Sequence, residues 1–442
     1  MRFGRLAIDR STARSRPRAR IRRVRARTAV VTTVCAVCAL TACGAPGPAA
    51  PTAPTSTSAA APGLPSYAVA AQEKITAAMK ANVIPGAVVR ISSPTQGDWT
   101  ATFGTGTIGR DDPITVDDHI RAGSITKTMT STVILQLVQE GKLSLDDPIG
   151  KYRSGVPNGE RITIAQLAEM RSGLYSYTFD PSFNRTLDDD PGKAWTPDEL
   201  LATAFTHPPD AEPGTTFEYS NTNIVLLGLV IEQLTGEPLE KAFAERILTP
   251  LGMTQTSLPV RTDATIPAPH PQGYSFGTNV STMQTYALPA DQQAAALAGT
   301  LQPNETDANP SWAWAAGGAI STVPDLFTYV QALVGGRLLD AATQKVRMDS
   351  IQPTDPAHPD AGGYGIGIAK FGPLLGHDGQ IPGFMTFTGQ DPATGLTITI
   401  GTNLATVPSG EGSALTLLKA ILPVFYPNLQ APPGNPAAVP NR

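Results

Sequence analysis

The segment Gly123-Ser124-Ile125-Thr126-Lys127 decides the fold, because it joins an extended polar stretch to a long apolar run. Apolar residues follow at three- and four-residue spacing, which predicts a helix over 124–140 that is buried on most sides. The serine and the lysine are three residues apart, so they share one face of the first turn. A buried lysine beside a serine is a candidate base. The alternative interpretation of S-x-x-K is a capping serine followed by a surface lysine, so partners elsewhere in the chain must decide.

Charge is distributed unevenly along the 442 residues. Residues 1–43 hold eleven arginines and one acidic residue, and the rest of the chain has a balance of −14. An acidic chain argues against nucleic acid as a partner. All three cysteines (Cys35, Cys38 and Cys43) lie in the first segment, so the remaining chain has no disulfide and no thiol ligand.

The N-terminal segment is typical of an export signal. A basic stretch over 16–27 precedes an apolar stretch over 28–40, which at 13 residues is too short to span a bilayer. The sequence Leu-Thr-Ala-Cys-Gly at 40–44 resembles a bacterial lipobox, in which Cys43 carries the lipid. Residues 44–65 are an uncharged Ala/Pro/Thr/Ser tether. We therefore expect a lipoprotein of the cell envelope, anchored to the outer face of the cytoplasmic membrane by lipid alone. A plain secretory signal is the alternative.

Strand patterns occur at both ends of the chain and helical patterns in the middle. A hairpin is predicted over 86–103 and further strands between 365 and 402, whereas 176–215 and 255–308 are mostly expected to be loops. We expect an α/β (α+β sandwich) domain over 66–426, followed by a Pro-rich tail over 427–442. Its antiparallel sheet would combine the N- and C-terminal parts, flanked by helices, with a mostly helical region inserted. The nucleophile helix would lie at their junction, where clefts are common.

Two further short motifs lie downstream. Tyr219 and Asn221 are two residues apart in a non-helical segment, so their side chains point the same way. His377 and Gly379 share one side of a predicted strand. The glycine would leave room for a substrate backbone.

The motifs S-x-x-K, Y-x-N and H-x-G, in this order, resemble those of the penicillin-recognising serine hydrolases, the β-lactamase-related family. Secreted actinomycete D-Ala-D-Ala carboxypeptidases and class C β-lactamases are the most similar members. The resemblance runs from about residue 70 to 425. It implies a β-lactamase/transpeptidase-like fold, an acyl-enzyme on Ser124, a monomer, and no cofactor or metal.

The resemblance also implies roles for individual residues. Lys127 takes or relays the serine proton, and Tyr219 acts as the general base and then as the acid. We expect Lys127 and a charged His377 to favour the tyrosine phenolate. His377 would also orient Tyr219 or the substrate.

Further residues would hold the substrate. Asn221 is expected to bind its amide carbonyl, and the backbone N–H groups of Ser124 and Gln380 would form an oxyanion hole. Trp312 resembles an aromatic residue that covers the cleft.

The sequence departs from the peptidase pattern at the site that binds a substrate's terminal carboxylate. Relatives carry threonine where this chain has Asp378 and Gln380, and Lys370 is the candidate replacement for an arginine expected near 369. An ionised Asp378 would repel a carboxylate. This would favour neutral esters or amides, or substrates bearing an amine.

The expected function is hydrolysis of an amide or ester, foremost as a D-alanyl-D-alanine carboxypeptidase on peptidoglycan stem peptides. One alternative is an esterase or a β-lactamase on the same fold. For a β-lactamase, the substrates would include β-lactams. A non-catalytic lipoprotein that binds peptidoglycan fragments is another. The chain has no G-x-S-x-G elbow of an α/β-hydrolase and no metal-binding histidine spacing.

If Cys43 carries the lipid, Cys43→Ser should release the protein into the medium or leave an unprocessed precursor. Fractionation of cells followed by N-terminal sequencing would detect either product. A wild-type protein found wholly in the culture supernatant, with alanine or glycine at its N-terminus, would contradict the lipobox interpretation.

Overall fold

The computed structural model describes residues 63–299, 303–360 and 362–429. Three predicted features lie outside the described residues: the signal over 1–43 with Cys43, most of the tether, and the tail from residue 430. Within the described ranges, no helix combines the length and apolar character needed to cross a membrane.

The strands of the described residues fall in two groups along the chain, near its start and near its end. They are β1 (Gly86–Ser93), β2 (Gly97–Gly104), β3 (Ile120–Arg121), β4 (Ile320–Ser321), β5 (Gln352–Pro353), β6 (Gly363–Gly365), β7 (Ile368–Phe371), β8 (Leu374–Ile381), β9 (Phe384–Gln390) and β10 (Thr397–Thr402).

One antiparallel sheet joins the two ends of the chain. Its order in the described residues is β2-β1-β10-β9-β8-β7-β6-β5, and the register opposes Ala87 to Thr402 where the N-terminal and C-terminal parts meet. A separate pair, β3 and β4, lies beside the nucleophile segment. The predicted sheet built from both ends is therefore confirmed.

Most of the helices lie between these two groups of strands. They are α1 (Ala68–Asn82), α2 (Ile125–Gln139), α3 (Ile164–Ala168), α4 (Pro181–Asp189), α5 (Pro197–Ala204), α6 (Asn221–Thr235), α7 (Leu239–Phe243), α8 (Thr249–Leu251), α9 (Asn279–Thr282), α10 (Ala290–Leu297), α11 (Trp314–Gly317), α12 (Val323–Gly335), α13 (Ala341–Asp349) and α14 (Ser413–Phe425). Short 3₁₀ turns cover Ile149–Lys151, Tyr177–Phe179 and Pro310–Trp312, and a π-helical turn covers Ala244–Leu248.

Helices cover both faces of the sheet. The terminal helices α1 and α14 pack on each other, and α14 packs on β9 and β10. Alternation along β1 separates the faces, because Val89 packs in the core with these helices while Val88 packs with Val323 at the start of α12. The sheet is therefore the middle layer of a three-layer arrangement.

Helix α2 is buried on all sides. Every residue from Ile125 to Leu137 is buried, including several threonines. Thr126 donates to the Gly123 carbonyl at 2.7 Å, and Thr130 donates to the Ala315 carbonyl at 2.7 Å. These bonds satisfy polar groups that would otherwise be costly to bury, and they fix the helix start against α11.

The structure differs from the sequence expectations in two regions. The strand expected over 365–369 is interrupted at 366–367, which form the turn between β6 and β7, because Gly367 has a φ of +57° and its position against Ser131 leaves no room for a Cβ. Part of 176–215 forms α4, which begins with Pro181 and is capped by Asp180. The capping pattern is present in the sequence, but the helix that follows it has only 9 residues, which is too short for a clear helical periodicity.

Candidate active site

Ser124 and Lys127 meet at the start of α2, as their spacing predicts. Lys127 is 0% exposed. Its Nζ lies 2.8 Å from Ser124 Oγ and donates to the Ala316 carbonyl of α11 at 2.7 Å. The amine therefore reaches the serine from the interior of the protein.

Burial sets the protonation of Lys127. It lowers the pKa of Lys127 to about 7, and the negative charge of Asp378 opposes this change. An amine with this pKa is largely neutral at slightly alkaline pH and can accept the serine proton. The lysine thus fits the role of general base.

Tyr219 lies just before α6 with its ring centroid 5.0 Å from Lys127 Nζ. Its hydroxyl is buried and has no hydrogen-bond partner of good geometry among the described residues. Burial raises the pKa of Tyr219 well above 10, Tyr364 and Asp378 raise it further, and the nearby Ser124 hydroxyl opposes the rise. The tyrosine is therefore a neutral phenol at neutral pH. The expected phenolate base is not supported.

His377 is buried beneath the site and uncharged. Burial and the nearby Lys127 lower the pKa of His377 to about 3. Its Nδ1 lies 2.5 Å from the Asp378 carbonyl oxygen, which can only accept, so Nδ1 carries the hydrogen. Nε2 then accepts from the Tyr364 hydroxyl at 3.1 Å. The expected second cation beside Tyr219 is therefore absent from the described site, and His377 bonds to Tyr364.

A cavity of about 170 Å³ opens in front of Ser124. Lys127 lies behind the serine, and neither His377 nor Gly379 contributes to the described lining. The other predicted site residues line this cavity together: Ser124, Tyr219, Asn221, Trp312, Asp378 and Gln380.

The glycine of H-x-G serves the protein's own backbone. A Cβ built on Gly379 would lie 2.0 Å from the Ala122 carbonyl oxygen, so the segment before Ser124 occupies the space that was expected to admit a substrate backbone. A Cβ on Gly123 would lie 2.9 Å from the Gln380 nitrogen. This close packing brings the backbone at Ser124 and Gln380 together, as the expected oxyanion hole requires.

Asp378 is part of the cavity lining, and one of its oxygens lacks a hydrogen-bond partner in the described structure. The residue is 2% exposed, and Oδ1 has no hydrogen-bond partner among the described residues. Burial raises the pKa of Asp378 to about 7, opposed by its own backbone N–H and by Lys127. Lys370 is exposed on β7 and is not part of the cavity lining. The expected replacement of an anion-binding arginine by Lys370 is therefore not found.

The roof of the cavity was not predicted from the sequence. It is formed by 275–286 and by α4, which are linked because Asp188 accepts from the backbone of Asn279 and Val280. The roof brings Tyr286 into the lining, and the segment that follows α10 adds Glu305. No periodic pattern in 255–308 could have indicated either residue.

This fold and this set of residues define a class of serine hydrolases. The family model described as beta-lactamase matches residues 71–421. The chain belongs to the beta-lactamase-fold family of serine hydrolases, which confirms the family and the fold expected from the motifs.

Similar proteins come from two groups within this fold. The solved D-stereospecific amidohydrolase from Streptomyces sp. is 34% identical, with a TM-score of 0.67, over 80% of this chain and 98% of that one. The D-amino acid amidase from Ochrobactrum anthropi SV3, complexed with L-phenylalanine amide, is 26% identical, with a TM-score of 0.67, over 81% and 99%. PbpX from Bacillus subtilis (strain 168), which carries the name of a penicillin-binding protein, is 26% identical over 59% of this chain and 56% of PbpX.

Ser124→Ala should abolish turnover and covalent labelling by a fluorescent penicillin or another serine-acylating reagent. Lys127→Ala and Tyr219→Phe should each slow acylation by at least roughly a hundredfold, since both groups move the serine proton. Stopped-flow acylation kinetics measure these rates. Labelling that persists in Ser124→Ala would contradict the assignment of the nucleophile.

Gly123→Ala should damage catalysis as well as stability. The residue has a φ of +54°, and the added Cβ would lie 2.6 Å from the Gly379 carbonyl carbon. Separating the two backbones should lower kcat by roughly tenfold or more. Gly141→Ala is the matched control, because Gly141 has a φ of +69° with open space around its Cβ position. It should cost about 1 kcal/mol of stability and leave kcat unchanged; equal kcat values in both variants would refute the proposed contact.

Proposed function

We propose that this chain is a serine amidohydrolase that cleaves small amides of D-amino acids carrying a free amino group and an apolar side chain. The reaction proceeds through an acyl-enzyme on Ser124. The observation that carries the proposal is the charge of the cavity in front of this serine.

The described lining of the cavity contains carboxyl groups and no cationic side chain. Asp378 and Glu305 contribute the carboxyl groups, and no lysine, arginine or histidine is part of that lining. A substrate with a free carboxylate would find no partner there and would be repelled by Asp378. A substrate ammonium would instead be attracted by the Asp378 carboxyl group.

The walls of the cavity supply an apolar surface for a side chain. A small amino acid derivative fits a cavity of about 170 Å³. Apolar contact of this kind gives affinity, and a few polar groups fix the orientation of the ligand. The apolar wall consists of Phe183, Leu187, Phe276, Met283 and Trp312.

The similar proteins support the same substrate class. The Streptomyces relative is named a D-stereospecific amidohydrolase, and the Ochrobactrum relative is named a D-amino acid amidase and binds L-phenylalanine amide. Phenylalanine amide has a free amine, an aromatic side chain and no carboxylate. These are the properties that the cavity favours.

The residues of the site provide each proton transfer of the reaction. Ser124 Oγ attacks the amide carbonyl while its proton passes to neutral Lys127, and the backbone N–H groups of Ser124 and Gln380 stabilise the oxyanion. The C–N bond breaks as Tyr219 gives its proton to the leaving nitrogen and takes one from Lys127. Water then attacks the acyl-enzyme and follows the same path in reverse, releasing the acid and restoring Ser124.

The other functions considered for this sequence fit the site less well. D-Ala-D-Ala peptides and β-lactams both carry a carboxylate, for which the described cavity lining offers no cation. A neutral ester fits less well because it offers no positive charge to the Asp378 carboxyl group. A non-catalytic binder has no use for a lysine amine 2.8 Å from a serine hydroxyl.

The test compares D-phenylalanine amide, its N-acetyl derivative and a D-Ala-D-Ala dipeptide by kcat/KM. We expect the free amide to be preferred over both by at least about tenfold, because only it carries an ammonium and no carboxylate. Equal rates for the amide and its N-acetyl derivative, or efficient release of D-alanine, would refute the proposal.

Asp378→Thr should weaken this preference and raise the carboxypeptidase rate relative to the amidase rate. Asp378→Asn serves as the isosteric partner variant, since it removes the charge and keeps the shape. An unchanged ratio of the two kcat/KM values in both variants would show that Asp378 does not contact the substrate.

A further inference from the structure

Arg121 is a buried cation that the reaction described above does not use. It lies on β3, three residues before Ser124, and is 1% exposed. Burial lowers the pKa of Arg121 to about 10, so the guanidinium is charged near pH 7. It forms no ion pair within the described part of the chain, where Asp263 and Asp307 act on it through space. A buried charge without a close counter-ion is costly, so Arg121 depends on the hydrogen bonds that it donates.

One nitrogen of this guanidinium binds three backbone carbonyls. Nη2 donates to the carbonyl oxygens of Ala264 at 2.8 Å, Thr306 at 3.1 Å and Ala308 at 3.0 Å. Because Nη2 carries two hydrogens, the three oxygens converge on it and share them. Nε and Nη1 are buried without a hydrogen-bond partner among the described residues. The side chain therefore joins β3, through a single nitrogen, to segments at least 143 residues further along the chain.

Two of the three carbonyls belong to the base of the roof, defined here as 273–275 and 303–308. These two stretches are bonded to each other. Thr306 Oγ1 accepts from the Gly273 N–H at 2.8 Å, and the Gly273 carbonyl accepts from the Glu305 N–H at 2.8 Å. A side chain that holds the second stretch therefore also holds the first, from which the roof begins.

The base of the roof supports the wall that a substrate meets in front of Ser124. Ser275 and Glu305 line the cavity from the base itself. Phe276 follows the first stretch and Trp312 follows the second, and both belong to the apolar wall. The arginine is not part of the described lining. It joins the strand that leads to the nucleophile with the wall that faces the nucleophile.

We propose that Arg121 is a positioning residue for the substrate: its Nη2 holds the base of the roof at a fixed distance from Ser124, so that the apolar wall meets the side chain of an acyl group whose carbonyl lies at the serine. Arg121 acts through 303–308 and touches no reacting atom. The inference requires Ser124 as the nucleophile, and it does not require the proposed preference for amides.

Two substitutions separate the charge of Arg121 from its hydrogen bonds. Arg121→Met removes every donor and keeps an unbranched stem. Arg121→Lys keeps the charge, but its ammonium ends one bond short of Nη2 and lacks the planar fork, so it cannot bind the three carbonyls in the same positions. We therefore expect the base of the roof to shift in both variants, and further in Arg121→Met.

The test compares kcat/KM for nitrophenyl acetate and nitrophenyl phenylacetate, which acylate the same serine. Arg121→Met should lower kcat/KM for the phenylacetate by at least roughly tenfold and for the acetate by less than about threefold, because only the larger acyl group reaches the apolar wall. Arg121→Lys should lower the ratio of the two values by a smaller factor. A loss of folded protein scales both values equally, so the ratio reports the position of the wall.

Arg347 offers the matched control for the loss of a buried guanidinium. It is also 1% exposed, and its Nη2 donates to Thr132 Oγ1 on α2 at 2.7 Å. Like Arg121, it forms no ion pair among the described residues, but it holds no part of the described cavity lining. Arg347→Met should therefore lower the temperature of thermal unfolding and leave the ratio of the two kcat/KM values unchanged.

Thr306→Val loosens the same base at another bond, since it removes the acceptor of the Gly273 N–H. It should lower the ratio in the same direction as Arg121→Met. Thermal unfolding checks that each variant is folded. If Arg121→Met does not fold, Arg121→Lys and Thr306→Val decide the question.

A fall in the ratio that is confined to the variants at 121 and 306 would support the proposal. An unchanged ratio in the folded Arg121 variants would overturn it, and so would an equal fall in Arg347→Met. Neither ester carries an ammonium, so this result stands whether or not the protein prefers amides with a free amine.

Discussion

The amine of Lys127, buried beside Ser124, is the feature on which the rest of the structure depends. An ammonium in the protein interior is costly, so burial makes the neutral amine accessible near pH 7. Burial in turn requires a helix surrounded on all sides, which β8, β9, α6, α7 and α11 provide. The Ala316 carbonyl fixes the direction of the amine. The chemistry of the serine is therefore a consequence of how α2 is enclosed.

Close backbone packing joins the two halves of the site. The segment ahead of α2 lies directly against β8, and glycine is required on both sides of this contact, at Gly123 and Gly379. A methyl group at either position would push the nucleophile away from the strand. This explains why a glycine of the H-x-G motif lies outside the cavity. It allows two backbone segments of the protein to lie in direct contact.

Much of this arrangement could be predicted from sequence because it is local. Short periodic stretches of sequence predict three features: the spacing of Ser124 and Lys127, the burial of α2, and the strands at both chain ends. The roof was missed because Tyr286 and Glu305 belong to a segment without periodicity, whose position depends on contacts such as that of Asp188 with Asn279. Those contacts are long-range, and a single sequence does not reveal them.

Protonation states were the hardest feature to predict, because they depend on burial from all directions. His377 beside a tyrosine suggests a cation, yet full enclosure beside Lys127 keeps it neutral. Lys370 suggests an anion site, yet it points to solvent. Asp378 suggests an ionised carboxylate, yet burial raises the pKa of Asp378 to about 7.

The acid at position 378 has two electrostatic consequences within this fold. Its carboxyl group lines the cavity beside Ser124, so it contributes to the charge that a substrate meets there. Its negative charge also opposes the lowering of the pKa of Lys127 by burial. A threonine hydroxyl would carry no charge and would have neither effect. A substitution at 378 that is made to change the preferred substrate should therefore also change the pH dependence of the reaction.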